Sequence, residues 1–193
     1  MSRFQKTLKD SFWQALVQTF KRNDELENEF HFAALTNKLW RAEFLLDEKK
    51  VDVNSGQGFA IRFAVEGKHT DMIHLLIEHK ADVNAKEGEA LIRAAALGYT
   101  DIALDLIGAG ANPALRDGRA LRLADAQNDT RMIGAMLKNG RGMEKVAEEL
   151  LADARRNGGA DKVALYKNYL DAQAAKAAPA RPKLQGGPFN PKR

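Results

Sequence analysis

Three histidines come closest to a metal-binding pattern, because His69, His74 and His79 follow one another at intervals of five residues. Imidazole nitrogens are common zinc ligands, but residues i and i+5 of a helix point in well-separated directions. The three rings therefore do not converge on one ion, and we predict no metal site; His31 is isolated. The sequence contains no cysteine, which excludes disulfides, thiolate catalysis and cysteine-based zinc sites.

Two other segments resemble parts of catalytic or phosphate sites. An acidic run offers carboxylates for acid–base chemistry, but no histidine or lysine constellation accompanies it, so we predict a solvated face. The glycines around 108–110 lack the Gly-Lys-Ser/Thr of a phosphate loop and close a helix instead of opening one. The sequence thus predicts neither an enzyme nor a cofactor. The acidic run comprises Asp24, Glu25, Glu27 and Glu29.

An internal repeat organises the chain around these residues. Residues 51–80, 81–110 and 111–140 align without a gap, which gives a period of 30 residues. The same register extends in both directions, so we expect five units between about residues 21 and 171, with degenerate outer units. The columns that carry this extension are Ala34, Ala64, Ala94, Ala124 and Ala154, and Leu46, Leu76, Leu106, Met136 and Tyr166.

Each unit is expected to contain two helices. The first is short and rich in alanine, which favours helix and lets neighbouring helices approach closely. The second carries apolar residues at spacings of three and four, as in Met72, Ile73 and Leu76. Gly98 and Asn128 suit the left-handed end of the first helix. Extended segments should lead to turns at Gly58, Gly88 and Gly118, and we predict Thr70, Thr100 and Thr130 as caps of the second helix.

A further helix over Asp10–Lys21 is predicted to cap the first unit. Its Phe12, Trp13 and Leu16 fall in the apolar columns of the second helix. We interpret Trp13 and Trp40 as core residues. The expected organisation is a capping helix over 1–22, a repeat domain over 23–171 and a flexible basic tail over 172–193.

Three segments resemble the ankyrin repeat: Ala-Asp-Val-Asn (81–84), Gly-Tyr-Thr-Asp-Ile (98–102) and Ala-Gly-Ala-Asn-Pro (109–113). The resemblance implies an all-α, ankyrin-like helical solenoid. The usual period is about 33 residues, so these units should have a shortened hairpin loop, as in the short repeats of some large viruses and bacteria. The usual Thr-Pro-Leu-His start is replaced, for example by 59–62, and the loss of its hydrogen bond predicts less rigid units.

The resemblance also implies a binding scaffold whose hairpin tips and inner helices form a concave surface. Phe59, Phe63 and Leu123 are the expected anchors for a partner, although Phe63 could instead pack against a neighbouring unit. The charged positions could instead form a merely solvated face. The expected tip residues are Ser55, Gln57, Lys86, Glu87, Arg116 and Asp117. The expected inner-helix positions are Phe59, Phe63, Glu66, Glu89, Arg93, Arg119 and Leu123.

Charge is distributed unevenly along the chain. Residues 1–22 carry a net charge of +4 and residues 172–193 carry +5, whereas the middle, 23–171, carries −5. The basic ends provide an alternative function, association with nucleic acid. Because the tail lacks stacking aromatics other than Phe189, such binding would be weak and sensitive to salt.

We therefore expect a protein-interaction module that sequesters or inhibits a partner protein, because no effector domain is evident. Host interaction or counter-defence is one conceivable setting. No run of about 18 apolar residues is present, and Met1–Lys9 lacks the apolar core of a secretion signal. With the absence of cysteine, this predicts a cytoplasmic protein, in the host cell if the chain is viral or an effector. Partner identity and oligomeric state stay open.

Overall fold

The structure is a computed structural model that describes residues 25–140, 142–157 and 159–177. The described residues form ten α-helices and no strand, which confirms the all-α prediction. The predicted capping helix over Asp10–Lys21, with Trp13, and residues 178–193 lie outside them. The helices are α1 (Glu25–Leu35), α2 (Leu39–Asp47), α3 (Ser55–Glu66), α4 (Thr70–Glu78), α5 (Ala85–Ala96), α6 (Thr100–Gly108), α7 (Leu115–Ala126), α8 (Thr130–Asn139), α9 (Glu144–Asn157) and α10 (Ala160–Ala177).

The helices stack as five pairs around one continuous core. The first helix of each pair, which we call the inner helix, packs on the inner helices of its neighbours: α1 on α3, α3 on α5 and α5 on α7. Small side chains at these contacts allow close packing. Each inner helix of the three middle units buries two alanines in equivalent columns: Ala60 and Ala64, Ala90 and Ala94, and Ala120 and Ala124.

Helices α3, α5 and α7 each begin with a left-handed turn, which we call the tip of the unit. Residues 56–58, 86–88 and 116–118 all have φ between 50° and 76°. The third position is always glycine: a Cβ on Gly58 would lie 2.5 Å from the Cβ of Ala85 in the next unit. This three-residue turn occupies the place where a shortened hairpin loop was predicted.

The predicted register is wrong by one residue in the first unit. The counterpart of Leu76 is Leu45 instead of Leu46: both Leu45 and Leu76 are fully buried. Their carbonyls accept hydrogen bonds from the amides of Val51 and Ala81, which begin the next units. The first unit therefore has one additional residue after α2, and the gap-free alignment does not extend to it.

The second helix of each pair is its outer helix, and the prediction that threonines cap the outer helices is also wrong. Thr70, Thr100 and Thr130 are the first residues of α4, α6 and α8, because the residue before each adopts the non-helical cap conformation. Only the cap of α8, Asp129, accepts a side-chain bond, from the amide of Met132 at 2.9 Å. Thr100 instead donates its hydroxyl to Asp129 and so links two units.

Asparagine side chains join the units near their tips. Asn54 Oδ1 accepts a hydrogen bond from the amide of Asp82 at 2.7 Å, and Asn84 Oδ1 accepts one from the amide of Asn112 at 2.7 Å. Asn84 also donates to the carbonyl of Gly110. These bonds tie consecutive units together near their tips.

The last pair, α9 and α10, is fastened to α7 by a polar cluster. The hydroxyl of the fully buried Tyr166 donates to Asp125 Oδ1 at 2.8 Å, and Lys162 Nζ lies 3.1 Å from the same oxygen. Burial, followed by the Asp125 carboxylate, raises the pKa of Tyr166, so this hydroxyl keeps its proton. Helix α10 continues to Ala177, so residues 172–177 of the expected tail are helical.

Candidate functional site

The predicted tip residues lie on the left-handed turns at one edge of the stack. Gln57, Lys86, Glu87, Arg116 and Asp117 are all exposed, with positive φ. Ser55, the sixth predicted tip residue, is instead buried.

A surface cavity of about 450 Å³ opens between the tips of the second and third units. Gln57, Lys86 and Glu87 line it, together with Asn54 and Asp82. The cavity is thus walled by side chains that can donate and accept hydrogen bonds and carries both signs of charge.

The charged inner-helix residues form a ladder of ion pairs across three units. Arg93 Nη1 lies 2.6 Å from Glu66, and its Nε lies 3.2 Å from Glu89, without hydrogen-bond alignment. Arg116 lies 2.8 Å from Glu89 and 3.0 Å from Glu87. These charges are therefore matched to one another instead of being merely solvated. Glu66 and Arg93, like Glu89 and Arg116, are 27 residues apart, and this recurring spacing could have identified these two pairs.

Phe59 is not the exposed anchor that the sequence predicted. It is only 6% exposed, and its ring lies 4.6 Å from that of His31 and 4.1 Å from that of Phe63. The first unit places His31 against the Phe59 ring, a contact that the alignment of the three middle units does not show. Phe63 is half-buried: its ring stacks on that of Phe59 in the same helix and still reaches the surface.

Phe32 is a surface aromatic that the sequence prediction missed. In the corrected register Ala33, instead of Ala34, is the counterpart of Ala64, and Phe32 is the counterpart of Phe63. Its side chain is 48% exposed. The one-residue shift hid it, and a search for the best alignment of the first unit alone could have found it.

Arg119 and Leu123 provide the other end of the predicted surface. Arg119 is exposed and forms no ion pair with any described residue, and Leu123 is half-buried. Arg122, between them in sequence, instead pairs with Glu149 at 2.6 Å. The surface therefore runs from aromatic residues, through matched charges, to a cation beside an apolar side chain.

Trp40 is exposed, contrary to its interpretation as a core residue. Its side chain is 68% exposed on α2, with the Arg41 guanidinium carbon 5.8 Å from its ring centroid. In the corrected register its counterparts are Asp71 and Asp101, both exposed residues of an outer helix. These polar counterparts were a signal in the sequence that Trp40 faces solvent.

The histidines are engaged separately. His69 Nε2 lies 3.1 Å from the carbonyl oxygen of Leu35, and His74 Nε2 lies 3.0 Å from Asp105. The third, His79, lies 3.8 Å from Asp47. Within the described part of the chain, no three histidine or acidic side chains are grouped to hold a metal ion.

His31 is buried between the first two units. It shares a 2.8 Å hydrogen bond with the Ser55 hydroxyl and is 4% exposed. Burial lowers its pKa below 6.5, the positive charge of Arg62 acts in the same direction, and a backbone hydrogen bond with Ser55 opposes them. The folded state therefore favours the neutral ring.

This environment predicts that acid weakens the first two units. Because the unfolded chain binds the His31 proton more tightly, this contribution to stability is complete above pH 6.5 and is lost as the pH falls below it. Urea unfolding at a series of pH values should show this fall. A His31→Gln variant should have a flatter pH profile, and an unchanged profile would rule out His31 as the cause.

No helix in residues 25–140, 142–157 and 159–177 combines the length and the hydropathy needed to cross a membrane. A search of curated proteins finds no match. The family model for ankyrin repeats (3 copies) matches residues 14–117, more than half of the chain. The match agrees with the stacked helix pairs. The chain therefore belongs to the ankyrin repeat family.

Proposed function

We propose that this chain binds a partner protein through its tips and concave inner helices, and that binding sequesters or inhibits the partner. Ankyrin repeats are protein-interaction scaffolds, and the match is to such a scaffold, not to a catalytic family. The observation that carries the proposal is the occurrence of non-glycine residues in the left-handed turns.

Consecutive left-handed residues are costly for any side chain with a Cβ, at about 1–2 kcal/mol per residue. Single left-handed residues at helix ends are common, and Lys68 and Asn128 are of this kind. The tips differ because Lys86 and Glu87, like Arg116 and Asp117, are consecutive. Backbone strain of this kind concentrates at functional sites, and it supports a role of the exposed tip side chains in binding.

The inner helices supply the rest of the proposed surface. Phe63 and Leu123 offer partly exposed apolar groups, and Arg119 offers a guanidinium with no ion pair among the described residues. Aromatic and arginine side chains contribute most to many protein interfaces. A partner that covers them gains apolar contact at both ends and a charge-assisted bond at one end.

The sharpest test introduces glycine in place of tip residues whose side chains make no ion pair with any described residue. A Gln57→Gly/Lys86→Gly/Asp117→Gly variant loses three side chains while it relieves left-handed strain, so we expect it to be no less stable than the wild type. Each glycine relieves about 1–2 kcal/mol of strain in the folded state. Its greater conformational entropy in the unfolded chain offsets roughly half of that gain. Affinity capture from a nuclease-treated lysate of the source cells, followed by mass spectrometry, should show a partner that the variant loses.

A matched control makes the same kind of change at exposed left-handed positions outside the tips, Lys50→Gly/Lys80→Gly/Asn128→Gly, and should retain the partner. If wild type and tip variant retain the same proteins, the tips do not bind a partner and the proposal fails. The nucleic-acid alternative stays a prediction, because residues 1–22 and 178–193 lie outside the described residues. It gains support if capture requires that nuclease be omitted and is lost without residues 178–193.

A further inference from the structure

Arg62 is a buried cation with little to balance it. It lies on the inner helix α3 and is only 7% exposed. Its Nη2 donates one long hydrogen bond, of 3.4 Å, to the carbonyl of Gly56, and its buried Nε has no hydrogen-bond partner among the described residues. No ion pair within the described residues includes it. An arginine stays charged in proteins, and a buried charge without a partner is costly.

The repeat itself shows what Arg62 lacks. Its counterpart two units later, Arg122, forms a 2.6 Å ion pair with Glu149. The residue in the place of Glu149 for Arg62 is Glu89, at the same spacing of 27. Glu89 is already held by Arg93 and Arg116, so the carboxylate that should balance Arg62 is engaged elsewhere.

Arg62 shares its surroundings with a second guanidinium. The Arg62 Cζ lies 5.7 Å from the centroid of the Phe63 ring, and the Arg93 Cζ lies 5.9 Å from the same centroid. Burial, then the charge of Arg93, lowers the pKa of Arg62, while Glu89 and Glu66 oppose the shift. Two guanidiniums and two carboxylates therefore lie near one aromatic ring that reaches the surface, and Arg62 is the one among these charged groups that makes no ion pair with a described residue.

We propose that the cluster of Arg62, Phe63 and Arg93 receives an acidic side chain, Asp or Glu, from the partner protein. This inference rests on the proposed function and specifies the chemistry of the partner. The incoming carboxylate supplies the acceptor that Arg62 lacks. An apolar residue beside it in the partner packs on Phe63, so the recognised feature is an acid next to an apolar side chain.

A library of short random peptides displayed on phage and selected on the full chain provides the probe. We expect the selected peptides to share an Asp or Glu beside an apolar residue. Exchange of that acid for its amide, or Arg62→Gln in the chain, should each weaken a synthetic selected peptide about tenfold or more. The two changes together should weaken it little further, because each removes the same contact. The matched control is Arg122→Gln, which should leave the affinity unchanged.

The outcomes separate this inference from the proposed function. Suppose that the selected peptides bind the wild type but not the tip variant. If they share no acidic residue, or bind Arg62→Gln as tightly as the wild type, the concave face binds a partner and the acidic inference is wrong. If the selected peptides bind the tip variant and the Phe63→Ala variant as tightly as the wild type, both proposals fail. If inorganic phosphate at matched ionic strength displaces them while the acid-to-amide exchange has no effect, the cluster takes a small anion and the peptide inference is overturned. Selection of no peptide overturns it as well.

Discussion

Replacement of Arg62 by methionine is expected to stabilise the fold, raising the free energy of unfolding by about 1–3 kcal/mol. Most substitutions at a buried position destabilise a protein, so the sign of this prediction is its informative part. The change removes a charge that is 7% exposed and has no ion pair among the described residues. An apolar side chain fits this position, because the counterpart in the next unit is Ile92, which is buried.

Urea unfolding followed by circular dichroism measures the effect. Arg122→Met is the matched control: this counterpart is exposed and paired with Glu149, so its loss should change the stability by no more than about 1 kcal/mol in either direction. A destabilisation by Arg62→Met, or equal effects of both substitutions, would show that Arg62 is compensated in the folded chain. Stabilisation together with loss of peptide binding would identify Arg62 as a residue kept at the expense of stability.

The stacked helix pairs could be predicted because the information is local and repeated. Apolar residues such as Met72, Ile73 and Leu76 recur at helical spacing, and all three are fully buried in α4. Gly58 likewise indicated a turn from its residue type. The structure supplies the reason for glycine there, since Ala85 of the next unit leaves no room for a Cβ. Features imposed on every unit thus repeat in the sequence at the period of the structure.

The candidate surface was less predictable because it depends on contacts between unequal units. Phe59 shares a column with Glu89 and Arg119, which reach the surface, yet His31 from the longer first unit covers it. The isolation of Arg62 arises because Glu89 is engaged elsewhere. Sequence periodicity reports what the units share, whereas these properties come from what differs between neighbours.

The left-handed conformation of the tips was also beyond prediction. Lysine and glutamate have no preference for positive φ, so the types of Lys86 and Glu87 gave no indication of their conformation. The strain is visible only once the backbone is known.

Replacement of Asp125 by alanine is expected to destabilise the C-terminal end of the stack by about 2–4 kcal/mol. It removes the acceptor of the Tyr166 hydroxyl and the counterion of Lys162, whose side chain is 17% exposed. Because repeat units are stabilised mainly by their neighbours, the loss should fall on α9 and α10 before the rest.

Hydrogen exchange should therefore show earlier opening of α9 and α10 in this variant, while α3–α6 keep their protection. Tyr166→Phe removes only the hydroxyl and should cost about 1 kcal/mol. Asp153→Ala is the matched control, because this carboxylate is exposed and its one ion pair within the described part of the chain is with Arg156 on the same helix. Its effect should stay within about 0.5 kcal/mol. Equal effects of Asp125→Ala and Asp153→Ala would mean that the polar cluster does not fasten the last pair. Uniform loss of protection along the stack would mean instead that the five units unfold as one cooperative body.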